Sequence, residues 1–288
     1  MWLFISVFLL AYIYHAIGIT LGYHRLLSHR SYKVPKLLEY FIVMGGYLCC
    51  EGSPIFWVST HRLHHRYSDK PGDPHRPMDG RWHAFLGWMY KPRVLISKEQ
   101  SQSLAPDLYR DPFYRFLHFG HTQLDGPACL LISILYRAAL YALFGPLVFW
   151  AELSASICAF MAPLIVNLFC HMPKLGYAPF ECGDQSRNVW LVAMLSLGEG
   201  WHNNHHAHPK SAQFGIFKGE FDLTWQVIRL FSFLGLAKDI RLARLTEPKS
   251  EDAVTLLDSS ELSRNVRLHA KKDESSVSRS SVNAAEKV

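Results

Sequence analysis

The sequence predicts an all-α, polytopic membrane protein with about three transmembrane helices and a helical cap on one membrane face that carries a histidine-rich metal site. Three observations lead there. Of the 288 residues 49% are hydrophobic and only 19% charged; the apolar residues gather into runs of spanning length; and the histidines cluster at the ends of those runs.

The first run, Trp2 to Tyr23, holds no Lys, Arg, Asp or Glu and is long enough for one crossing. A cleaved signal peptide would carry basic residues ahead of its apolar region, whereas Arg25, Arg30, Lys33 and Lys36 follow this one. That asymmetry places the N-terminus outside and the loop from His24 in the cytosol. Phe8 and Tyr12, spaced i, i+4 on this span, share one of its faces. The next apolar segment, residues 37 to 52, is interrupted by Gly45, Gly46 and Glu51 and reads as an interfacial or half-buried helix. Residues 68 to 81 and 103 to 112, rich in Pro, Gly and Asp, read as loops on the cytosolic side.

From Gly126 to Met172 only Arg137 and Glu152 interrupt the apolar character, and the run is long enough for two crossings with a turn near Gly145-Pro146. Arg137 is expected near the outer end, snorkelling to the interface. Residues 1–246 thus form the membrane domain with its cap. Residues 247–288, rich in Ser, Lys and Glu, read as a mostly disordered tail with at most a short helix over 254–268.

The net charge of +6 sits mostly beside the apolar runs, which suits anionic lipid headgroups, and no nucleic-acid-binding signature is present. The six cysteines are scattered without a CxxC pair and read as small buried hydrophobes.

The 16 histidines carry the chemistry. "HRLHH" gives His61, His64 and His65; "HNNHH" gives His202, His205 and His206; "HRLLSH" gives His24 and His29; and His171 closes the last apolar run. The HxxHH spacing sets three imidazoles toward one side of a helix, a metal-ligand spacing. Five residues do not return to the same helix face, so His24 and His29 sit where the first span ends or bends, or else serve different ions. The predicted crossings bring all four groups to the cytosolic side. Imidazole without thiolate suits zinc, copper, nickel or iron. Eight or nine ligands exceed one coordination sphere and imply two metals, and the HExxH pattern of zinc proteases is absent. His15, His75, His83, His118, His121, His208 and His269 are expected to be ordinary polar side chains, with His75 and the His118/His121 pair the strongest exceptions.

"GITLGYHRLLSHRSYK", "WVSTHRLHHRYSDKPGDPHRP" and "GEGWHNNHHAHP" resemble, in order and spacing, the three histidine boxes of the membrane fatty acid desaturases, in particular the stearoyl-type delta-9 branch. "FDLTWQVIRLFSFLGLAKDIRL" extends the resemblance to most of the chain before the tail. The resemblance implies a cytosolic pair of iron ions (Fe2+) held by His24, His29, His61, His64, His65, His171, His202, His205 and His206. It also implies that Asn167 of "NLFCH" holds a metal-bound water. Glu199, Asp73 and Asp184 are candidates for carboxylates that orient the imidazoles. The implied reaction uses dioxygen and two hydrogen abstractions to place a cis double bond in a long-chain saturated acyl group, linked to lipid or to CoA and held in a narrow apolar tunnel, with Phe8 and Tyr12 candidate lining residues near its closed end. No flavin, NAD or haem motif is visible, so electrons come from a separate protein; ferredoxin or cytochrome b5 follows from the resemblance.

Two departures stand out. The family commonly has two helical hairpins, and this chain opens at what resembles the second helix of the first. Ser59 and Thr60 occupy the place of a charged pair in the animal acyl-CoA branch, as in the plant and cyanobacterial branch, leaving fewer groups for a CoA phosphate. The expected location is a bacterial inner membrane, or an ER or plastid membrane in a eukaryote. The competing readings are a hydroxylase or monooxygenase on the same fold, told apart by an alcohol product, and a non-enzymatic metal-binding membrane protein, which would line its spans with polar groups rather than place them at the ends.

Overall fold

Helix α1 (Trp2–Ile17) runs without a charged side chain and continues directly into a π-helical segment, Gly18–Ser28. Together they make one of the two helices among the described residues that are long and apolar enough to cross a membrane, Trp2–Ser28; the other is Asp125–Phe169. The structure, a computed structural model, describes residues 1–119 and 122–244, and the predicted tail with its short helix lies outside them. Helices α2 (Lys36–Leu48) and α3 (Pro54–Tyr67) follow, then the short α4 (Trp88–Tyr90), α5 (Lys98–Leu104) and α6 (Pro112–Leu117). The long α7 (Thr122–Phe169) precedes α8 (Trp190–Leu195), α9 (His202–Ala207) and α10 (Leu223–Phe233). Among the described residues β pairing is confined to isolated bridges such as Lys33–Lys238 and Tyr177–Asn188.

The predicted turn at Gly145-Pro146 is present: Gly145 has φ 80° and ψ −179° and breaks α7 into two arms. The arms fold back on one another, since Arg137 reaches Glu152 at 3.1 Å and Ser156 at 2.6 Å. A straight helix would hold residues 15 apart at about 22 Å. Their outward faces leave Leu130, Leu131, Ile134, Leu143, Phe144 and Trp150 each more than half exposed, a surface suited to hydrocarbon rather than water.

Arg137 corrects the sequence reading. It does not snorkel; it is 7% exposed and also donates to the carbonyls of Ser133 and Leu48. Glu152 accepts in addition from His15, whose other ring nitrogen meets the Gly45 carbonyl at 2.7 Å. An acid on the facing arm outcompetes the distant interface, because a buried cation needs a charge partner and filled hydrogen bonds.

Helix α2 is half-buried, one of the two arrangements expected for it: Leu37 and Phe41 stay exposed while its small face packs on α1. A Cβ on Gly18 would lie 2.2 Å from the Gly46 nitrogen and one on Gly45 2.5 Å from the Tyr14 carbonyl, so only glycine permits this backbone approach. Tyr23, Ile42, Val43, Ile55 and Val58 then join the helical cap's core with Tyr114 and Ile228. All six cysteines are free, and the burial expected of them holds for Cys49, Cys129 and Cys170; Cys50 and Cys182 are half-buried and Cys158 is exposed.

Candidate metal centre

The π-helix solves the spacing of the first histidine pair. An α-helix turns five residues through about 500°, leaving the two side chains well apart in direction, whereas a π-helical turn closes at i→i+5. Here the His29 N–H donates to the His24 carbonyl at 3.1 Å, and the two rings stand 4.9 Å apart. His24 and His29 therefore belong to one group, and the alternative that they serve different ions is set aside.

The HxxHH clusters behave differently from expectation. They do not aim three imidazoles at one point; each divides. His61 and His65 join His24, His29 and His205, while His64 joins His171, His202 and His206, the ligand atoms of each group lying within 4.8 Å of one another. The reason is helical geometry: i and i+4 differ by about 40° in direction, whereas i+3 and i+4 differ by about 100°. Adjacent histidines must therefore face different centres. On α3 the i, i+4 pair enters the first group, and on α9 the i, i+4 pair, His202 and His206, enters the second.

Four carboxylates fix the rings. Asp73 accepts from His64 Nδ1 at 3.0 Å, Asp184 from His206 Nδ1 at 2.7 Å, Asp69 from His171 Nδ1 at 2.9 Å, and Glu199 from His24 Nδ1. Three of these carboxylates were expected; Asp69 was not. It sits in a turn at φ 59°, four residues from Asp73, where loop composition masked its role. Arg25, fully buried and likewise unforeseen, holds Glu199 at 2.9 Å and Asp222 at 3.0 Å and lies 3.8 Å over the Phe214 ring. Burial raises the Glu199 carboxyl, but the neighbouring His24 and Arg25 more than reverse this and leave it below the usual range. The same balance, with His206 as partner, holds Asp184 down.

The third cluster's rigidity comes from residues the histidine count passes over. Asn188 Oδ1 accepts from the Asn203 and Asn204 N–H groups at 3.0 and 3.2 Å, and Asn204 Nδ2 donates to the Phe214 carbonyl and Glu220. Gly198 (φ 113°) and Gly200 flank Glu199; a Cβ at Gly200 would lie 2.1 Å from the Ala193 nitrogen, so the backbone that presents Glu199 requires both glycines.

Of the remaining histidines, His75 lies 4.4 Å from the His64 ring and shares Asp73 with it, at 3.7 Å. His118 is held by Ser53 and Asp125, and His83 meets the Pro74 carbonyl. His121 and His269 lie outside the described residues. Asn167 lines the cavity beside His24, His61 and His202, whose walls are Ala16, Ile19, Ala162, Pro163 and Val166. Phe8 and Tyr12 stack on each other at 6.3 Å, and neither lines that cavity; the Tyr12 hydroxyl donates to the Leu195 carbonyl.

The ring chemistry fits metal ions. With Nδ1–H of His24, His64, His171 and His206 committed to carboxylates, their Nε2 atoms carry lone pairs. Yet His24 Nε2 faces His205 Nε2 at 3.0 Å, His202 Nε2 faces His171 Nε2 at 3.0 Å, and the buried Nε2 atoms of His64 and His206 have no hydrogen-bond partner. Converging lone pairs repel unless a cation lies among them. Burial, followed by the neighbouring imidazoles, lowers His29, His61, His65, His202 and His205 well below the ordinary histidine range, which keeps them neutral and ready to ligate.

Apolar helical arms ending in two adjacent histidine groups define a class of helical proteins able to bind metal where hydrocarbon meets a polar cap. Comparison with known proteins makes the assignment specific. A model of the fatty acid desaturase family matches residues 1–215, and the chain belongs to that family. It is 43% identical over 236 residues to the sn-1 stearoyl-lipid 9-desaturase of Synechocystis sp., covering 82% of this chain and 70% of that one. It is 41% identical over 227 residues to the acyl-CoA C20 Delta5-desaturase of Anemone leveillei, covering 78% and 69%. Delta-9 acyl-lipid desaturase 1 of Arabidopsis thaliana is 38% identical over 243 residues, 84% of this chain and 76% of that one. The protein is thus an oxidoreductase acting on fatty acyl chains.

Proposed function

We propose that this desaturase places a cis double bond at the delta-9 position of a long-chain saturated acyl group carried by a lipid or a thioester, using dioxygen and electrons from a donor protein such as ferredoxin or cytochrome b5. The observation that carries the reading is the apolar cavity floored by His24, His61 and His202 and walled by Ala16, Ile19 and Val166. It brings an otherwise featureless methylene chain against the histidine groups. Nothing in such a chain distinguishes one carbon from the next, so position must come from the shape of this wall.

The first histidine group would hold one iron and the second the other, and bound iron would supply the dioxygen-dependent redox chemistry that an unactivated methylene demands. Asp69, Asp73, Asp184 and Glu199 fix ring tautomer and direction. Asn167 is assigned to hold a water between the histidines and the cavity. The apolar walls exclude bulk water from the reacting carbons. In the same reading the three apolar arms cross the bilayer and both histidine groups face the cytosol.

The test is fatty-acid analysis by gas chromatography and mass spectrometry in cells expressing the chain or its His64→Ala variant. A new monounsaturated chain, double bond at carbon 9, in the former and not the latter is expected. A hydroxylated chain, or an alkene that persists in the variant, would overturn the reading. A protease-accessible N-terminal tag outside the cell, with both loops protected, checks the topology.

A further inference from the structure

A second and a third cavity adjoin the one at the histidines. The middle cavity shares Trp57, His61, Pro163 and Asn167 with the inner one, and shares Glu51, Phe56, Thr60, Trp88 and Met89 with an outer cavity bounded by Leu95, Ile96 and Cys129. Glu51 therefore forms wall on both sides of the junction. It is 6% exposed; Oε2 accepts from Trp57 Nε1 at 3.0 Å, while Oε1 is buried without a partner. Thr60 Oγ1 and Trp88 Nε1, in the same walls, are also buried and unpartnered. Among the described residues no ion pair holds Glu51.

Resting on the reading that these cavities take the acyl chain, we propose that Glu51 is a specificity-determining residue for acyl binding: the chain threads past the neutral carboxyl and not past the carboxylate. A neutral carboxyl beside methylenes forgoes some hydrogen bonding, whereas a carboxylate whose last water is displaced by the chain is left as an unpaired buried charge. Binding and protonation are then linked, and each favours the other.

The surroundings set the window. Burial pushes the Glu51 carboxyl up to about 8, the Trp57 hydrogen bond opposing it. The other titratable groups facing the passage are His61 and His75 in the middle cavity and Asp125, Lys98, Glu99, Cys50 and Cys129 in the outer one. Burial and neighbouring imidazoles hold His75 down to about 3 and His61 well below its ordinary range, so neither changes charge where Glu51 does. Asp125 is bound by His118 and the Ser53 N–H. Because the folded Glu51 ionises only on the alkaline side, acyl affinity holds below about pH 8 and weakens about tenfold per unit above it.

The experiment uses the full chain, iron-loaded, in zwitterionic lipid nanodiscs under anaerobic conditions without an electron donor, so that no turnover occurs. Binding of brominated methyl stearate, which carries no titratable group, is read by quenching of Trp57 and Trp88 fluorescence between about pH 6 and about pH 10. The expected result is the tenfold-per-unit alkaline loss in the native chain and a flat profile in Glu51→Gln. A flat native profile, or the same loss in Glu51→Gln, overturns the proposal. Absence of saturable quenching in both proteins at every pH instead removes the acyl reading of the cavities. Independently of the variant, the infrared carbonyl band of the protonated carboxyl must titrate at higher pH with the ester bound, and no displacement overturns the linkage.

Discussion

At residue scale the site depends on side chains that never face the cavity's hydrocarbon. Asp184 accepts from His206 and from the Ser186 N–H, so it sets which nitrogen of His206 can ligate. Asp184→Asn keeps the volume and loses the charge; iron retention against a chelator should fall about 10- to 100-fold, with the chain still folded. Metal analysis after chelator challenge reads this, and unchanged retention would show that Asp184 is a solvated loop acid. Asp69→Asn, acting through His171 of the same group, should behave alike, and both variants should lose the metal of that group while the other group keeps its own. These carboxylates were partly legible: Asp73 lies 9 positions from its partner His64 and Asp184 22 from His206, whereas Asp69, although it follows the second histidine box closely, serves a histidine 102 positions away, a separation that no local pattern reports.

At the scale of elements, two features hold the apolar arms together. The first is the Arg137–Glu152–His15 network. Arg137→Met leaves the buried Glu152 with His15 as its remaining partner and should cost up to about 3–5 kcal/mol. Arg137→Met with Glu152→Gln removes both charges and should recover much of that loss, read as thermal unfolding in detergent. Equal destabilisation by the single and double variants would show that packing, not charge, matters there. The second is the α1–α2 crossing at Gly18. Gly18→Ala drives a methyl into the α2 backbone and should cost about 1–3 kcal/mol, while Gly126→Ala, with nothing within 4 Å of the added carbon, should be tolerated. If both melt alike, the close approach is not what holds α2. The hairpin turn was readable because Gly-Pro punctuates an apolar run; the inward direction of Arg137 was not, since only the fold-back brings Glu152 to it.

For the whole molecule, the neutral histidine groups couple stability to pH. Burial lowers His29, His61, His65, His202 and His205 relative to the unfolded chain, and His206 falls to about 4. On acidification below about pH 6.5 the unfolded chain takes up protons that the folded one refuses. Stability of the metal-free protein is therefore fully present above that pH and declines below it, by on the order of 1 kcal/mol per pH unit for each such histidine. Metal binds the neutral form and should move the loss to lower pH. Melting temperatures of chelated and iron-loaded protein between about pH 5 and about pH 8 test this; parallel profiles would sink the idea that these histidines are the ligands.

The amino-acid sequence by itself determined the helical class, the apolar arms, the hairpin turn, and the nine histidines with their neighbouring acids, because hydrophobic run length and residue spacing are local properties of a chain. Only the tertiary structure decided how those histidines divide. The split of His64 from His65 follows from two adjacent centres reached by side chains that leave α3 in different directions, and the union of His24 with His29 from a π-helical turn that side-chain type alone does not announce. Arg25, Asp69, Asn188 and Glu51 acquire their roles from partners far along the chain. Burial gives those partners their energy, and burial is a property of the folded whole.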